Sequence, residues 1–202
     1  MGVTRLNLKN WLFLFWTTLV VGAIGSLVVG LLLQWTNTME LNGTADLLVN
    51  VGILLGVGIM VSVYSQMGFF AYMMINYMGT GVFSRTTWQY IQLILAALAL
   101  LELLFFRTFV GREGKGTSDL VLGILLLLIA CVVAYFKSKM TNRSAWIPTL
   151  FFMIAVTIVE TVGVLKIGVD QATAWIVAPL IACNAYQILI LHRVLKPRTQ
   201  TA

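Results

Sequence analysis

Apolar residues run along this chain in six long stretches, and polar residues gather in the short gaps between them. The stretches extend from Trp11 to Leu33, Leu47 to Ile75, Thr87 to Phe109, Leu120 to Phe136, Trp146 to Leu165 and Ala172 to Leu195. An α-helix needs about 20 residues to cross the hydrocarbon core of a bilayer, and each stretch is near that length or above it. The pattern predicts an all-α, polytopic membrane protein: a single compact bundle of six transmembrane helices over residues 1–202, joined by loops of 5–13 residues. Arg5 and Lys9 precede the first stretch as in a signal peptide. That apolar run is too long for one and ends in no A-x-A site, so it reads as an uncleaved anchor.

Composition agrees with the pattern. Of 202 residues, 60% are hydrophobic and 10% charged, more apolar surface than a soluble domain of this length can hide. The net charge of +6 does not point to nucleic acid, because the basic residues sit between apolar runs and on no soluble face. They set an orientation instead. Arg5, Lys9, Arg85, Lys137, Lys139, Arg143, Arg193, Lys196 and Arg198 fall on the side of the termini, and Arg107, Arg112, Lys115 and Lys166 on the other. Cytoplasmic loops carry the excess of Lys and Arg, so a multi-pass protein of the cell membrane with both termini in the cytoplasm is predicted. Trp11, Trp88 and Trp146 open spans at the inner interface, and Trp35 and Trp175 sit at the outer one. Cys131 and Cys183 lie within apolar runs, where neither can staple a loop. Pro179 lies inside the last span and is expected to bend it.

Three sets of residues are candidates for more than hydrophobic filling. Gly22, Ser26 and Gly30 recur every fourth residue in the first span, as do Gly52 and Gly56 in the second. Such faces let helix backbones approach closely, either within the bundle or against a partner's helix. Amides form the second set. Gln66 stands within about 40° of Gly52 around the second helix, at 100° per residue. Gln89 and Gln92 lie one turn apart, as do Asn184 and Gln187. Amides in hydrocarbon need partners, so a polar cluster of Gln66, Gln89, Gln92, Asn184 and Gln187 is expected in the inner half, with Gln66 bonded near Asn184 or Gln187. It serves either as glue that fixes helix register or as a switchable contact. The third set is the intramembrane acids. Glu102 precedes Arg107 and Glu160 precedes Lys166, so each is either paired with that neighbour, buried in protonated form, or part of a cation or proton site. His192 is placed to meet the last carbonyls of the sixth helix. No catalytic, phosphate-binding or metal-binding motif occurs, and no enzyme activity, metal or cofactor is expected.

With SQMGFFAY ending the second span and CNAYQ in the last, the chain resembles the KinB-signalling pathway activation (KbaA) family of endospore-forming bacteria. The resemblance covers most of the chain, including the short basic N-terminus and WLFLFWTTLVVG. It implies a non-catalytic membrane regulator that promotes signalling through the sporulation sensor kinase KinB. The implied partners are that kinase or an associated membrane protein, the lipid bilayer, and no nucleic acid. It assigns no site residues. A small transporter or channel working through Glu102 and Glu160 is the alternative from another class.

Overall fold

The computed structural model describes residues 8–36, 44–106, 116–165 and 171–194, and every element among them is helical. Helix α1 spans Leu8–Thr36, α2 Thr44–Val82 and α3 Arg85–Leu101, the last continuing into a π turn, Glu102–Phe106. Helix α4 spans Gly116–Met140. A short 3-10 turn, Arg143–Ala145, leads into α5, which is built of Trp146–Phe151, a π turn at Phe152–Val156, and Thr157–Leu165. Helix α6 spans Gln171–Val194. Six helices are long and apolar enough to cross a membrane.

The helices form two groups of three. Helices α1, α2 and α6 pack together, α3 and α4 pack on α5, and the π turn of α5 also touches α2 and α6. Phe151, Phe152, Met153, Ile154, Ala155 and Ile158 of α5 are all buried. A helix that is apolar all round sits at the centre of its bundle, and α5 does so here. Around it Phe69 and Tyr72 of α2 stack on Phe152, with ring centroids 5.7 and 4.9 Å away. Helices α1, α2, α3 and α4 keep one apolar face outward. Among the exposed residues are Trp16, Ile24, Leu48, Met67, Leu128 and Val132.

The second helix runs on past Ile75 to Val82, and only Phe83 and Ser84 separate it from α3. Asn76, Gly79, Thr80 and Gly81 had the look of a loop, but tertiary contacts keep them helical. Trp88 Nε1 and Gln92 Nε2 both donate to Asn76 Oδ1, at 3.0 and 3.2 Å. Gly79 lies flush against the Trp88 ring, where a side chain would collide. The hairpin then closes by capping: Ser84 Oγ accepts from the Thr87 amide at 3.2 Å.

Candidate functional site

The α1–α2–α6 contact is built on small residues. Gly22 and Gly58 face each other with no side chain between the backbones. That approach lets Ser62 Oγ reach two backbone oxygens, Gly58 O at 2.8 Å and Thr18 O of α1 at 3.1 Å. Cys183 of α6 lies 3.6 Å from Ser62 Oγ, so three helices meet around one carbonyl. Ser26 is buried and Gly30 sits under Leu54. Of the two readings of Gly52 and Gly56, packing within the bundle is not what the structure has. Both are exposed, with nothing within 4 Å of where a side chain would begin. The buried stripe of α2 instead follows Leu54, Gly58, Val61, Ser65, Phe69 and Tyr72. Gly52 and Gly56 fall about two residues, or about 200°, from its members.

One turn beyond Ser62 lies a buried polar network at the centre of the bundle. Ser65 Oγ donates to Asn184 Oδ1 at 2.6 Å. Asn184 Nδ2 donates to Glu160 Oε2 at 2.6 Å and to Thr157 Oγ1 at 2.9 Å. The network ties α2, α5 and α6 together, and all four side chains are buried. Glu160 Oε1 lies against Gly68 of α2, without a hydrogen-bond partner. Glu102 is not part of this site: it is exposed at the end of α3. Arg107 and Lys166, the basic neighbours considered for the two acids, lie outside the described residues.

The five amides do not gather into one cluster. Gln66 is buried, but its Nε2 donates to Phe15 O of α1 at 3.3 Å and not to α6. Gln92 belongs with Asn76 and Trp88 in the α2–α3 hairpin. Gln89, half-buried, donates to Ser144 O at 3.2 Å. Gln187 is fully buried, and neither Nε2 nor Oε1 has a partner. Polarity alone picks out Gln66, Gln92, Asn184 and Gln187, which are buried, but also Glu102, which is not. Which amide meets which depends on helix crossings that no spacing encodes. Ser65 and Thr157 drew no notice in the sequence, since hydroxyls in apolar helices usually bond their own backbone. Lys137, counted there as a loop charge, is buried within α4 and donates to Leu189 O at 3.4 Å. His192 Nδ1 lies 2.7 Å from the same carbonyl.

A second feature lies on the outside. Met60, Tyr64, Met67, Ala71, Met74 and Met78 of α2 are all exposed, at alternating steps of four and three residues. That spacing places them in one seam along a helix, continuous with Gly56.

Comparison with known proteins agrees with the resemblance carried by SQMGFFAY and CNAYQ. A family model, KbaA, described as KinB-signalling pathway activation in sporulation, matches residues 22–194. A KinB-signaling pathway activation protein of Bacillus subtilis (strain 168) is 30% identical over 191 residues, covering 89% of this chain and 93% of the relative. No solved structure matches the chain. The match runs from the Gly22 contact in α1 to the last residue of α6, across all six helices, and on that ground the chain belongs to the KbaA family.

Proposed function

We propose that this protein is a non-catalytic regulator in the cell membrane that promotes KinB signalling by packing the outward face of α2 against a transmembrane helix of a partner. The partner is the KinB kinase or a membrane protein associated with it. The observation that carries this reading is the exposed pair Gly52 and Gly56 at the head of the methionine seam. Glycine inside a helix costs about 1 kcal/mol relative to alanine. At Gly58, Gly68 and Gly79 of α2 that cost accompanies a close approach, whereas Gly81, near the end of the helix, has nothing within 4 Å. At Gly52 and Gly56, inside the helix, nothing among the described residues lies within 4 Å of where a side chain would begin. Small residues four apart are how membrane helices bring their backbones together. Methionines beside them adapt to an irregular partner surface.

A membrane setting with cytoplasmic termini is supported by where the charges fall. Asn10 Nδ2 donates to Val194 O at 3.2 Å, which joins the start of α1 to the end of α6. Gln89 likewise joins the start of α3 to the turn before α5. Lys9, Arg85, Lys139, Arg143 and Arg193 therefore share one end of the bundle, while Asp46 opens α2 at the other. A basic end is the end retained in the cytoplasm.

Gly56→Leu tests the reading. A side chain begun at Gly56 meets nothing within 4 Å among the described residues and gains helix propensity, so abundance should be unchanged. Sporulation-kinase output should fall about tenfold, the effect of about 1.4 kcal/mol of lost contact. Full output from Gly52→Leu and Gly56→Leu together would remove the α2 face from the mechanism.

A further inference from the structure

Glu160 is the buried carboxyl at the centre of the bundle, and its one bond, from Asn184 to Oε2, leaves Oε1 unpartnered. Asn184 cannot serve both oxygens. Its second hydrogen goes to Thr157 and its oxygen accepts from Ser65. Gly68 makes the space into which Oε1 is directed, since any side chain there would collide with it.

A second unpartnered group lies one turn along α6. Helices α2 and α6 run in parallel, because Ser62 meets Cys183 and Ser65 meets Asn184. One turn further along from these contacts come Gly68 of α2 and Gln187 of α6. Gln187 is fully buried with both ends of its amide unbonded. Helix α5 runs the other way, so the same step from Thr157 leads back into its π turn, Phe152–Val156. Such turns recur at functional sites within helices. The side chain of Glu160 leans toward the N-terminus of its own helix, and so in the same direction.

A bare carboxylate in such surroundings is costly, and one amide bond does not offset the loss of water. The titratable groups on the surrounding helices do not bond to it. These are Tyr72 on α2, Cys183 on α6 and Lys137 on α4, whose ammonium is used at Leu189 O. We propose that Glu160 Oε1 and Gln187 Oε1, with Asn184 fixing the carboxyl, bind one small positive charge, supplied as an alkali cation or as a proton. The site is separate from the outward face of α2. Its failure would leave the regulatory reading untouched, and the reverse holds too.

The test uses the full chain purified in detergent. Thermal unfolding is followed at fixed pH in NaCl, in KCl and in choline chloride of equal ionic strength, and then across a pH series in choline chloride. A ligand bound only by the folded state raises the midpoint with the logarithm of its concentration. Dependence on NaCl or KCl identifies an alkali cation. A midpoint that falls as pH rises in choline alone identifies a proton. In either arm Glu160→Gln should flatten the response, and Gln187→Leu should require about tenfold more ligand for the same shift, a weakening of about 1.4 kcal/mol. The proposal is overturned if wild type is flat in every series, or if Glu160→Gln responds as wild type does. Should Glu160→Gln fail to fold, an unaltered response in Gln187→Leu overturns it equally.

Discussion

Gly58→Leu should sharply lower the amount of folded protein, whereas Gly56→Leu, two residues earlier on the same helix, should not. A side chain begun at Gly58 would stand 2.5 Å from Gly22 O and 2.7 Å from Ala23 Cα, both backbone atoms. One begun at Gly22 would stand 2.6 Å from Gly58 O. Neither clash can be relieved by a rotamer change, so α1 and α2 must separate. Separation also breaks the bond from Ser62 to Thr18 O and lifts Cys183 from the same carbonyl. Overpacking alone costs about 1–3 kcal/mol, a large share of the 5–15 kcal/mol that holds a typical protein folded. Membrane-fraction abundance, read by immunoblot, checks the contrast. Equal abundance of the two variants would mean that α1 and α2 do not cross at Gly22 and Gly58.

Asn184→Leu should be nearly as damaging, and the loss should be partly reversed by Glu160→Leu in the same chain. The single change strands the Glu160 carboxyl and leaves Ser65 Oγ and Thr157 Oγ1 without their shared amide. Removing one partner of a buried polar or charged pair costs about 3–5 kcal/mol, while replacing both with apolar groups is often close to neutral. A double-mutant cycle on thermal stability in detergent measures this coupling. If the double mutant loses the sum of the two single losses, the two side chains are not partners.

Six helices long and apolar enough to span a membrane were legible because each apolar run is long and its flanks carry Trp, Lys or Arg. The end of α2 was not. Asn76, Gly79 and Gly81 resemble a turn until the Trp88 ring and the Gln92 amide arrive from α3 to occupy them. Which face of each helix turns inward was also hidden. In water an amphipathic stripe marks the core, but a membrane helix is apolar toward lipid and toward protein alike. The spacing of Gly52 and Gly56 therefore does not decide between an inward face and a partner's helix, and within the chain it is Gly58 that makes the contact. Gln66 shows a related effect. It lies close to Gly52 in angle, yet α1 covers one and not the other, because crossing helices do not stay on the same flank along their length. The Glu160 and Asn184 pair comes from residues 24 apart on sequential antiparallel helices. Nothing in the local sequence of either residue names the other.

On the proposed reading, α2 meets its partner through its outward seam. Photo-crosslinkers placed singly at Met67 and Met74, in otherwise unaltered cells, test it most directly, with Leu128 on the exposed face of α4 as the control. Adducts are identified by mass spectrometry of native membranes under sporulating conditions. The account predicts adducts with the KinB kinase or a protein that co-purifies with it from Met67 and Met74, and none from Leu128. Lipid adducts alone from the α2 positions, or equal protein adducts from all three, would contradict it.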